Sequence, residues 1–166
     1  MDLPGSELFY AIAALSMAFV SFTSIVVVLH QGTGKPLSPI YVLLTQVYCE
    51  MGLMATAIAM IAPVLAVWGI GEDLVWRISS AIAFAILAPY LAFYPKRRRA
   101  AAPGEKPPLR MYFFISLGVV TAVFLCLNIV GSPLKPGPGP IAITAAYMLS
   151  FAAFVFLRRY ALFLQE

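Results

Sequence analysis

Several residues that most protein chemistry relies on are scarce in this chain. There is one histidine and there are two cysteines in 166 residues. Cys49 and Cys126 lie far apart inside apolar stretches and belong to no CxxC or comparable spacing, so a disulfide framework, a zinc site and a thiol-redox enzyme all lack support. His30 has no second histidine and no neighbouring carboxylate in sequence, which argues against a haem or other metal ligand set, and no cofactor is expected. Charge is scarce too, at 11% of residues, where a soluble domain carries about a quarter. That shortage excludes a solvated globular domain and a disordered chain. No aromatic-basic interleaving accompanies the few cations, so a nucleic-acid partner is not expected.

Apolar residues are what the chain does contain, at 62% of the total and a mean hydropathy of +0.93. So much apolar side chain cannot be wrapped by so little polar surface, and the alternative solvent is lipid. Each spanning helix with its connection uses about 30 residues, which leaves room for five. The expected architecture is therefore all-α, an integral membrane protein built as a five-transmembrane-helix bundle in a single membrane domain over 1–166. The helices are expected near 7–29, 40–68, 74–94, 110–130 and 140–157, with 158–166 a short cytoplasmic or interfacial tail. Ser6 and Ser38 are candidate N-caps, Pro39 suits a first helical position, and Pro95 and Gly131 read as stops. Backbone groups in hydrocarbon must be paired within the segment, which selects helix, and the alternation of a membrane barrel is absent. The 132–140 stretch is too rich in proline and glycine for either helix or sheet and reads as an extended loop.

Basic residues set the expected orientation. With five spans, Lys35, Lys96, Arg97, Arg98, Arg99, Lys106, Arg110, Arg158 and Arg159 share one side, nine cations, against Arg77 and Lys135, two, on the other. The positive-inside bias then puts the C-terminus in the cytoplasm and the N-terminus outside, in a cell inner (cytoplasmic-type) membrane. The run Lys96-Arg97-Arg98-Arg99, with Arg158 and Arg159, is expected to fix topology and touch anionic lipid headgroups. The first apolar segment lacks a basic n-region and is long for a signal peptide, so it is read as retained. Trp68 and Trp76 at one boundary and Tyr41, Tyr90, Tyr94 and Tyr112 at the other are expected to form aromatic belts, with Arg77 snorkelling near Glu72 and Asp73. Asn128, near the end of the fourth segment, is expected to satisfy a local helix contact.

Lipid tails are as apolar as leucine, so helices associate through close packing of small residues and through interhelical hydrogen bonds. Small residues recur at near-heptad spacing in three segments: Ala11, Ala14, Ala18 and Ser21; Ala55, Ala59, Ala62 and Ala66; Ala81, Ala85, Ala88 and Ala92. The second and third repeat the same step and are joined by a short turn, which predicts a tight antiparallel hairpin through those two stripes. Pro63 and Pro89 interrupt the pair, and a kink at Pro63 would absorb excess helix length.

Glu50 is the only acidic side chain deep inside an apolar segment. It stands roughly 16 Å from the start of its helix, about halfway through a core of about 30 Å. An ionisable group there is a functional candidate by default. Gln46 lies one turn away on the same face, and the helical wheel turns both from the proposed hairpin seam. Desolvation favours the neutral acid unless a cation is near, so Glu50 is expected to donate a hydrogen bond, to Thr23 or Ser24 or to Ser79 or Ser80.

Two functions follow from these features. In the first, an oligomer forms a channel or transporter for a cation or proton, with Glu50, Gln46, Ser24 and Thr23 as the polar intramembrane residues. In the second, the chain is a non-catalytic accessory or scaffold that packs against larger membrane partners. No enzyme is expected, because no second carboxylate or histidine accompanies Glu50 at its depth. The expected partners are the bilayer, its anionic headgroups and either a second copy or another membrane protein.

Overall fold

The computed structural model describes residues 3, 5–31, 39–104, 107–132 and 135–163, side chains excepted at 26, 29–31 and 158–163. Among the described residues there are five α-helices and no strand: α1 (Ser6–Gln31), α2 (Pro39–Val67), α3 (Glu72–Ala101), α4 (Leu109–Val130) and α5 (Gly139–Phe163). Each contains a stretch long and apolar enough to cross a membrane. Ser38, Lys35 and Lys106, and the side chains of His30, Arg158 and Arg159, lie outside the described residues.

The helix ends show where local chemistry differs from expectation. Ser6 is the first residue of α1 and not its cap, since the chain turns just before it at Gly5, whose φ is 81°. Gly71 is the N-cap of α3, with Glu72 and Asp73 in the first turn, where carboxylates complement the helix dipole. Gly131 ends α4 in the left-handed region, at φ 74°, and its N–H returns to the Leu127 carbonyl at 2.9 Å. Two helices outrun the expected spans. α3 continues through Pro95 to Ala101, because Lys, Arg and Ala are good helix formers and Arg98 and Arg99 complement the negative end of the dipole. α5 continues past Leu157 to Phe163, so residues 158–163 extend a helix instead of forming a separate tail.

Consecutive helices run antiparallel. Thr56 Oγ1 of α2 reaches the Ala13 carbonyl of α1, and Tyr48, farther back along α2, donates to Phe19, farther along α1. Ser80 faces Asn128 across α3 and α4, and Tyr147 of α5 donates to the Phe114 carbonyl of α4 at 3.0 Å. α2 and α5 form the centre: α2 packs on α1, α3 and α5, and α5 on all four other helices. The side chains of Val47, Met51, Ala55, Ile58, Ala59 and Ala62 on α2 are fully buried. At Gly52 α1 approaches closely, since a Cβ there would collide with Val20 and lie 3.5 Å from the Ser16 carbonyl oxygen.

The alanine stripes divide. Ala55, Ala59, Ala62 and Ala66 are buried, whereas Ala81, Ala85 and Ala92 are exposed and Ala88 is half-buried. α3 turns a different face inward, carrying Ser79, Ser80, Ala83, Leu87, Tyr90 and Tyr94. The seam predicted through both stripes is therefore corrected: α3 fills its contact with large side chains and leaves its small ones outside. In α1 the small stripe Ala11, Ala14, Ala18 and Ser21 is likewise exposed, and Phe9, Ile12, Ala13, Ser16 and Thr23 face in. The aromatic belts need correction too. Trp76 is fully buried, with its Nε1–H donating to Glu72 Oε1 at 3.2 Å and its ring 6.1 Å from that of Phe9. Tyr41, Tyr90 and Tyr94 are buried as well, while Trp68 and Tyr112 remain exposed.

Candidate functional site

Two polar clusters join the helices, one toward each end of the bundle. The first lies between the first half of α2 and the last turns of α3. There the Glu50 carboxylate accepts from Arg97 Nη1 at 2.6 Å through Oε2 and from Nη2 at 2.9 Å through Oε1. Nη2 also points at Gln46 Oε1, 3.5 Å away. The fork of the guanidinium matches the two carboxylate oxygens, the geometry in which such a pair is strongest. Both side chains remain partly accessible, Arg97 at 36% and Glu50 at 35%, so the pair sits on the flank of the bundle and not in its centre.

This arrangement corrects two expectations. Glu50 faces α3, whereas the helical wheel had turned it away from that helix. Its partner is Arg97, from the basic run assigned to headgroups, and none of the four hydroxyls proposed for it is its partner. Thr23 and Ser24 donate back to Phe19 and Val20 within α1, at 3.1 and 3.2 Å. Ser79 is buried without a hydrogen-bond partner, and Ser80 accepts from Asn128. The reason is the extension of α3: once the helix continues past Pro95, Arg97 falls one turn beyond Tyr94, close to the inward face. The signal was present in the sequence, since the spacing of Ala83, Leu87, Tyr90 and Tyr94 carried forward lands on Arg97 and Arg98.

Tyr90 completes this cluster. Its hydroxyl is buried without a hydrogen-bond partner and lies within electrostatic reach of Glu50, Arg97, Tyr94 and Tyr147. Its ring stacks on that of Tyr94, with centroids 6.0 Å apart, and Tyr94 in turn meets Phe151 of α5 edge-on at 5.9 Å. The ion pair is thus backed by an aromatic layer that connects α3 to α5.

The second cluster lies at the opposite end. The Asn128 side chain donates to Ser80 Oγ at 2.7 Å and to the Gly137 carbonyl at 3.1 Å, and its oxygen accepts the Gly137 N–H at 3.0 Å. One amide therefore ties α4 to α3 and clamps the proline-rich loop that leads to α5. The contact expected of Asn128 was a single local one. The Arg77 guanidinium lies over Gly131, where an added Cβ would come within 2.6 Å of Nη2.

Among the described residues, no group of three His, Cys, Asp or Glu side chains is placed to hold a metal ion. Comparison with family models, with curated proteins and with solved structures finds no match for this chain.

Proposed function

We propose that this chain is a non-enzymatic accessory or scaffold protein. In this reading it crosses a cytoplasmic-type membrane five times, with the end that carries the basic run facing inward, and it packs against other membrane-protein chains. The observation that carries this reading is the state of Glu50, whose two oxygens are both held by Arg97. A carboxylate that recruits a passing cation needs uncompensated charge. This one is matched by a guanidinium that does not lose its proton in proteins. The pair reads as a clip between α2 and α3, and Gln46 beside it is exposed, a polar edge on the flank of the bundle. Polar groups at membrane depth face protein or water and not acyl chains, so this flank is suited to a neighbouring helix.

The test places a photoreactive residue at Gln46 in the full-length protein and cross-links in native membranes. The expected product is an adduct with a different membrane protein, together with no more monovalent cation flux in reconstituted liposomes than in protein-free vesicles. Self-adducts alone, accompanied by a flux that Glu50→Ala removes, would overturn the reading.

That second outcome belongs to the oligomeric channel or transporter, and one observation favours it. Tyr90 offers a buried hydroxyl with no hydrogen-bond partner within electrostatic reach of Glu50, a group that can take part in a hydrogen-bonded proton relay only by accepting one proton as it hands on another. In that case Tyr90→Phe lowers proton flux while leaving the oligomer intact.

A further inference from the structure

Where α3 ends and α4 begins, a nook of about 70 Å³ is lined by Arg98, Arg99 and Ala102 on one side and Pro107, Met111 and Tyr112 on the other. Arg98 is only 5% exposed, yet among the described residues its side chain has no ion pair and no hydrogen bond. Its guanidinium is not among the buried unpartnered polar groups, so its nitrogens keep access to the surface at the nook while no protein acceptor neutralises them, a placement suited to an anion. The opposite wall suits one too. The first turn of α4 has Pro108 as its N-cap and no side-chain cap bond; the Met111 N–H is held by the Pro108 carbonyl at 2.9 Å, and the positive end of the dipole has no capping side chain.

The nook does not end blindly. Ile115 lines both it and a groove of about 470 Å³ between α3 and α4, whose walls are almost wholly apolar. On α3 the groove and the nook follow one helical ridge, through Phe84, Ala88 and Ala92 to Pro95, Arg98 and Ala102. From Phe84 to Ala92 the ridge rises roughly 12 Å, close to the depth of one leaflet, about half of a 30 Å core. Ala88 and Ala92, expected to pack against α2, here line this groove.

We propose that the α3–α4 seam is a binding site for one anionic phospholipid. The headgroup phosphate sits against Arg98, Arg99 and the first turn of α4, and an acyl chain lies in the groove. A charged nook that opens into an apolar trough of about one leaflet's depth complements a molecule with an anion at one end and a hydrocarbon chain at the other. The site needs no protein partner and stands apart from the Glu50 cluster.

Native mass spectrometry of the full-length protein, with phosphatidylglycerol or phosphatidylcholine added to the micelles, tests this. Wild type is expected to retain phosphatidylglycerol about tenfold better, the equivalent of one charge-assisted contact. Arg98→Gln and Arg99→Gln each lower that retention, and Ala92→Trp, which blocks the groove, lowers it for both lipids. Lys96→Gln removes the same charge from a side chain that lies over the Phe93 ring and outside the nook, so retention should not change. Arg99 and Ala92 are exposed, so their variants keep the test valid if Arg98→Gln fails to fold. Equal retention of the two lipids, or equal losses in Lys96→Gln and Arg99→Gln, would overturn the proposal. So would displacement by inorganic phosphate, which shares the anion but lacks the chain, or unchanged binding in Ala92→Trp.

Discussion

Arg97 holds Glu50 with both terminal nitrogens of its guanidinium, at 2.6 and 2.9 Å, across the only pairing of opposite charges that links two helices among the described residues. Both side chains are about one-third accessible, so the pair is neither fully exposed nor fully buried. A double-mutant cycle with Glu50→Gln and Arg97→Gln should return a coupling of about 1 kcal/mol, between the values for exposed and buried pairs. Reversible unfolding in mixed micelles measures it. The swapped variant, Glu50→Arg with Arg97→Glu, should recover more stability than either single change. Additive effects would show that the pair contributes no net attraction.

Gly52 lets α1 and α2 approach where a side chain would strike Val20. Gly52→Ala is expected to cost about 1–2 kcal/mol, because valine is stiff at χ1 and the Ser16 carbonyl blocks the other direction. Val20→Ala in the same chain should restore most of that loss. Thermal unfolding of the two single variants and the double variant decides the point, and Gly52→Ala with wild-type stability would mean that α1 is loosely held.

Two tyrosines near each other should respond oppositely to loss of the hydroxyl. Tyr147 donates to the Phe114 carbonyl, so Tyr147→Phe should destabilise by about 1 kcal/mol. Tyr90 has a buried hydroxyl without a partner, so Tyr90→Phe should be neutral or stabilising by up to about 1 kcal/mol. Unfolding midpoints of the pair, compared under one set of conditions, test the contrast.

Asn128→Ala removes three hydrogen bonds at once, two of them to the backbone of Gly137. The expected loss is about 2 kcal/mol, larger than that of Ser80→Ala, which deletes only one partner. Limited proteolysis should detect the change first as faster cleavage within 132–140. Equal cleavage in wild type and Asn128→Ala would show that the loop is held by its prolines alone.

Hydropathy made the five helices legible, because each apolar stretch is long and the charges gather between them. Helix ends were less legible. Pro95 reads as a stop in a soluble context, yet α3 runs through it, since the flanking Lys, Arg and Ala residues favour helix on both sides. That one misplaced boundary hid the partner of Glu50. Gln46 and Glu50 were recognisable as expensive residues from type and position alone, but their direction was not, because the wheel was oriented by alanine spacing. Small-residue spacing identifies a surface that permits close approach without saying which neighbour approaches, and on α3 the inward face was taken by Leu87, Tyr90 and Tyr94. Asn128 could not be resolved from sequence, since its main partner, Gly137, lies in a loop without periodicity.

The clamp of Asn128 on Gly137 bears on the order of assembly. Two of its three bonds join residues nine positions apart, so they can form as soon as α4 and its following loop exist, before α3 is alongside. Most of the polar needs of the amide are thus met locally, and only the bond to Ser80 requires α4 to dock against α3.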